Sequence, residues 1–189
     1  MERKRLGLLR ELVPNAALIA ILLNPNSPDV EIQLKDLTEA ASALGQKIHI
    51  VRANNEQDID AAFTSFSTLK PAALLVGANP FFISRREKIV SLATHYRIPA
   101  IYEVREFVAA GGLMSYGTSL IDAYRQVGIY TGRVLKGEKP ANLPVFQMTK
   151  FEFLINLKAA RALGLDDVPG ALSARATRSS SEAPLARFV

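Results

Sequence analysis

Apolar runs of strand length recur along this chain, and in the stretches between them apolar residues fall three and four apart. Residues 17–23, "ALIAILL", are aliphatic throughout, the pattern of a strand buried on both faces. From Pro28, "PDVEIQLKDLTEAASALG" sets Val30, Leu34, Leu37, Ala41 and Leu44 on one helical stripe. Pro28 suits a first turn, Asp29 complements the helix dipole, and Gly45 stops the helix. "QKIHIVRA" (46–53) alternates as a second strand, with His49 in its middle and expected to be packed. "NEQDIDAAFTSFSTL" (55–69) is the next helix, with Ile59, Phe63 and Phe66 on its stripe. "PAALLVG" (71–77) is a third buried strand, and "FFISRREKIVSLATHYR" (81–97) a third amphipathic helix. "IPAIYE" (98–103) and "GGLMSYG" (111–117) are the fourth and fifth strands, joined by the short helix "VREFVAAG". A longer helix, "SLIDAYRQVGIYTGRVLKG" (119–137), follows and stops at Gly137.

The alternation predicts an α/β fold, a parallel five-stranded sheet with helices on both faces. The expected strand order is 2-1-3-4-5, with 17–23 beside 72–76. Right-handed crossovers then bring the C-terminal ends of all strands to one edge, where ligands settle in such sheets. The alternation ends at Gly137, so residues 1–137 are expected to form one α/β lobe. Residues 138–170 read as a Pro-bounded linker and a return segment, with an extended stretch at 143–155 and a short helix ending at Gly164. The apolar residues Val145, Phe146, Phe151, Phe153, Ile155 and Leu157 of that segment need cover, and self-association through them is expected. Residues 171–189, with a serine run and few apolar positions, read as disordered.

Composition narrows the function classes. The chain has 189 residues, 22% of them charged, and a formal net charge of +5. Its basic residues are scattered, as "ERKR" at the start and "SRREK" at 84–88, without interleaved aromatics, so solvated helix faces are expected and nucleic acid is not. Cysteine is absent and only His49 and His95 could ligate as imidazoles, so neither a metal nor a cofactor is expected. No apolar run approaches the roughly 18–20 residues of a membrane span, and "MERKRLGLLRELVP" lacks the h-region of a signal peptide. As written, the chain is expected to stay in the cytoplasm.

The loops expected on the shared edge hold Asn24, Asn26 and Ser27, then Asn54 and Asn55, then Asn79 and Phe81, then Tyr102 and Glu103, then Ser115 and Tyr116. "NPNSP" alone is turn chemistry, "NPFF" alone fits a hydrophobic staple, and Tyr116 alone fits a core. Together, amides, hydroxyls and aromatic rings on one edge describe a binding pocket. The edge has one carboxylate directly after a strand and lacks GxSxG, Walker and GxGxxG patterns, so no enzyme is expected.

Four stretches in order, "KRLGLLRELVPNAALIAILLNPNSP", "LLVGANPFF", "RIPAIYEVREFVAAGGLMSYGTS" and "LPVFQMTKFEFLINLKAARALGL", resemble the ABC transporter substrate-binding proteins of the tryptophan and tyrosine type. The resemblance runs from about residue 3 to 175 and implies one lobe of a type I periplasmic-binding-protein fold, with a C-terminal return segment towards a first lobe that this chain lacks. It also implies an amino acid or similar small organic ligand, a membrane permease as partner, and a location in the periplasm or anchored outside the cytoplasm. Carried over motif by motif, the ligand face is Asn24, Asn26, Ser27, Asn79, Phe81, Tyr102, Glu103, Ser115 and Tyr116, the loops that the sheet argument selects. "NPNSP" is then both a strand-to-helix handover and part of a binding wall. Two other classes are the alternatives: the effector-binding domain of a transcription regulator, which shares this fold, and a flavodoxin-like or response-regulator-like domain. The effector domain of a transcription regulator would follow a helix-turn-helix, whereas residues 1–15 hold one helix. A response regulator would carry acids at the ends of its first and third strands, where asparagines stand here.

Overall fold

A computed structural model describes residues 1–145, 151–165 and 168–176. In chain order the elements are α1 (Glu2–Leu12), β1 (Ile19–Leu23), α2 (Val30–Ala43), β2 (Ile48–Arg52), α3 (Glu56–Leu69) and β3 (Ala73–Val76). Then follow α4 (Pro80–Ser84), α5 (Arg86–His95), β4 (Ala100–Tyr102), α6 (Arg105–Ala109), β5 (Met114–Thr118) and α7 (Leu120–Leu135). After a 3-10 turn at Pro140–Asn142 come β6 (Phe151–Ile155), α8 (Leu157–Ala162) and α9 (Gly170–Ala176). The sheet order is β2-β1-β3-β4-β5-β6. Its first five strands are parallel, in the order the apolar pattern predicts, and β6 adds to β5 antiparallel.

The central strands are buried because both faces are covered. All of β1 and β3 is buried, and alternate residues feed two cores. Ile19, Ile21 and Leu23 pack with Leu6, Leu9 and Leu12 of α1 and Leu37 of α2. Ala20 and Leu22 pack with Ile59, Phe63 and Phe66 of α3 and with Phe82, Ile89 and Phe107. The third predicted helix is two: Arg85 leaves helical geometry (φ −109°) between α4 and α5.

Three expectations are corrected. His49 is exposed, because β2 is the edge strand and pairs only with β1. The return segment is covered only in part: Phe153 is buried, whereas Val145, Phe151 and Leu157 are exposed. β5 offers an unpaired edge, β6 takes it with Phe153 opposite Tyr116, and Phe153 is 5% exposed. Part of the supposed disordered tail is helical: α9 carries Leu172, fully buried in the α1-side core. Phe146 and the tail beyond residue 176 lie outside the described residues.

Exposed apolar surface is found on α7 as well as on the return segment. This 16-residue helix has no buried residue, and Ile121, Tyr124, Val127, Ile129, Val134 and Leu135 are all exposed. Only its first residue, Leu120, packs against the α3-side core, and the exposed apolar stripe beyond it has no cover among the described residues.

Candidate functional site

The C-terminal ends of β1, β3, β4 and β5 meet on one edge, and hydrogen bonds tie the loops after β1 and β3 together. Asn24 donates from Nδ2 to Oδ1 of Asn79 (3.1 Å), and Asn79 donates from its own Nδ2 to Oγ of Ser27 (3.0 Å). Each asparagine also orders its own loop. The Asn26 amide donates to Oδ1 of Asn24 (2.9 Å), an Asx turn. The Phe81 amide donates to Oδ1 of Asn79 (2.9 Å), which caps α4. Ser27 donates to Asp29, whose carboxyl is held below its ordinary range chiefly by that bond. Gln33 completes the brace by donating to Asp29 (2.9 Å) and to the Ala78 carbonyl (3.0 Å).

Asn24, Ser27 and Asn79 are therefore spent on one another. They are buried, at 9%, 9% and 8% exposure, and they shape the wall instead of reaching from it. Asn26 is exposed, and its side-chain amide has no partner among the described residues. Phe81 is half-buried, packed against Phe82 with the Arg85 guanidinium 5.9 Å above its ring. Tyr116 is half-buried and stacks on Phe151 of β6, with ring centroids 5.9 Å apart and planes at 11°, while Phe153 meets it edge-on.

Glu103 lies where β4 passes into α6, held close to the end of β5. A Cβ on Gly117 would stand 2.0 Å from the Glu103 carbonyl oxygen, so only glycine permits this approach. Burial raises the Glu103 carboxyl above its ordinary value; Arg5 pulls it down, and Glu2 and Asp29 push it up. Those three residues belong to a group that the charge pattern alone conceals. Arg5, in the "ERKR" expected to be solvated, is 1% exposed. It pairs with the buried Glu2 and donates from Nη1 to the Val76 carbonyl at the end of β3 (3.0 Å). Glu2 is paired with Arg5, and Glu2 and Asp29 both act on Glu103, so carboxylates outnumber cations within this group.

Tyr102 and Ser115 stand apart from this group. They are neighbours across β4 and β5 and point to the same, buried face. Tyr102 stacks on Phe107 (4.4 Å, 8°), and burial pushes its hydroxyl well above its usual range. Ser115 is 1% exposed, and its Oγ has no hydrogen-bond partner among the described residues. The edge gains what the sequence reading left out, namely Glu2, Arg5, Gln33 and Phe151. For Arg5 a signal existed: Glu2, Arg5, Leu9 and Leu12 share one helical stripe, the stripe that faces the core.

No group of three or more histidines, cysteines, aspartates or glutamates suited to a metal occurs among the described residues. No helix among them is long and apolar enough to cross a membrane.

A doubly covered, mostly parallel sheet with its polar and aromatic loops gathered on one edge is the architecture of one lobe of a periplasmic-binding-protein-like fold. Residues 1–179 match the family described as ABC transporter substrate binding protein, and the chain belongs to that family. A tyrosine-binding protein of Clostridioides difficile (strain R20291) is 25% identical over 166 residues, which are 86% of this chain and 47% of that protein. A Streptococcus pneumonia structure, an ABC domain in complex with L-Trp, superposes with a TM-score of 0.81 at 24% identity, over 93% of this chain and 60% of that one. A conserved domain protein from Vibrio cholerae superposes with a TM-score of 0.80 at 24% identity, over 93% and 59%. The chain thus spans about half the length of the curated relative it matches.

Proposed function

We propose that this chain supplies one wall of a solute-binding cleft in the receptor component of an ABC-type importer, and that the solute is an amino acid with an aromatic side chain. The observation that carries this reading is the meeting, on one edge, of an electronegative group with accessible aromatic rings. Glu103, backed by Glu2 and Asp29, is suited to an ammonium group. Asn26 and loop amides are suited to a carboxylate, and Tyr116 with Phe151 and Phe81 to an aromatic ring. The tyrosine-binding relative and the L-Trp complex support the same ligand class. A permease as docking partner and a position outside the cytoplasm follow from the family reading.

A single wall makes only part of the contacts of a closed cleft, so affinity is expected to be weak, on the order of millimolar. Calorimetric titration of this chain with L-tryptophan, L-tyrosine and L-alanine tests the reading. The aromatic amino acids should bind and L-alanine should not. Glu103→Gln and Tyr116→Ala should each weaken L-tryptophan binding several-fold. Equal binding of L-alanine, or indifference to both substitutions, overturns it.

A further inference from the structure

A second concavity lies away from the edge just described. A cavity of about 450 Å³ opens at the opposite edge, between the end of α5, the turn from α6 into β5, and α8. Its volume lies within the range of small-molecule sites, roughly 300–1,000 Å³. Its floor is apolar, with Leu163, Ala159 and the buried Tyr102 among its lining residues. Two cations, Arg97 and Lys158, stand at this cavity, both exposed. Neither has an acidic side-chain partner among the described residues, and no carboxylate lines the cavity. Asn156 is 8% exposed and spends its Oδ1 on the amides of Lys158 and Ala159, which leaves its Nδ2 as a donor.

The chemistry is the inverse of that at the first edge. Donors and positive charge surround an apolar hollow, and nothing there would neutralise an ammonium group. We propose that this cavity is a second binding site, which takes a small apolar carboxylate with its hydrocarbon part in the hollow and its carboxylate between Arg97 and Lys158. Such a pairing is charge-assisted, and Arg97 can engage both oxygens. A zwitterionic amino acid is disfavoured, since its ammonium would face two cations.

Octanoate is a suitable probe, with octylamine as its opposite-charge control. In a heteronuclear NMR titration of the whole chain, octanoate should shift amides of residues 93–98, 111–113 and 156–163. The double variant Arg97→Glu with Lys158→Glu should bind octanoate at least about tenfold more weakly, because both charges reverse at exposed positions. Ala162→Trp, also at an exposed position, should close the cavity and abolish the shifts, and circular dichroism checks that both variants keep the wild-type fold. The proposal is overturned if octylamine shifts the same amides equally or if the double variant binds octanoate as the wild type does. It is also overturned if octanoate shifts amides of α7 and leaves those of the cavity unmoved.

Discussion

At the scale of single residues, the buried Glu2–Arg5 pair shows how charge can be architectural. Arg5 ties α1 to the end of β3 through the Val76 carbonyl, and Glu2 neutralises it where water is excluded. Arg5→Met alone strands Glu2, and the expected loss is about 3–5 kcal/mol of unfolding free energy in urea titrations. Glu2→Leu with Arg5→Met should recover most of that loss, because the two apolar chains replace the pair in the same volume. Glu103 gives a pH signature. Its folded-state carboxyl lies above the ordinary value of 4.5, so in the window above 4.5 the folded chain holds more protons than the unfolded one. Stability should therefore fall as pH rises through the folded-state value, and Glu103→Gln should flatten that slope. A stability that climbs over the same window, or a slope unchanged in the variant, contradicts this environment for Glu103. Sequence reasoning gathered these loops on one edge but could not rank their residues. Which of two asparagines faces solvent depends on the partner it meets 55 positions away, as Asn24 meets Asn79. Tyr102 and Ser115 were misread for a related reason, since strand direction alone does not say which face of β4 and β5 lies next to α6.

Among the elements, α7 and β6 both depart from what their sequences suggested. β6 alternates apolar and polar residues and would be sticky if left open, but an unpaired β5 edge was there to receive it. Helix α7 reads as an ordinary covering helix, yet every residue along it is at least partly exposed. Tertiary packing supplies most of the stability of such a helix, so its apolar stripe calls for a partner. In this chain alone the nearest complementary surface is the same stripe on a second copy. Light scattering coupled to size-exclusion chromatography should show concentration-dependent association, which Tyr124→Lys with Val127→Lys abolishes. A wild-type chain that stays monomeric at high concentration contradicts this. The length and spacing of α7 were legible in the sequence; its lack of cover was not, because a helical pattern says that a face is apolar and not what it meets.

For the whole molecule, strand order and direction were legible because fully aliphatic runs such as Ile19–Leu23 leave no solvent face, and only a doubly covered parallel sheet satisfies them. The extended character of 151–155 was legible, but its place as a sixth strand was not, because that place is set by the vacant edge of β5 and not by its own residues. The organisation that results has two unlike ends. One sheet edge gathers the Glu103 group and aromatic rings, and the other holds a cation-rimmed apolar cavity. The central claim is that the first of these is the solute-facing wall. Its most direct test is an NMR titration of the chain with L-tryptophan, read residue by residue. The account predicts shifts that saturate together at residues 24–27, 79–81, 103, 115–117 and 151–153, with residues 93–98 and 156–163 unmoved. Shifts confined to other surfaces, or no shift at the first edge, would contradict it.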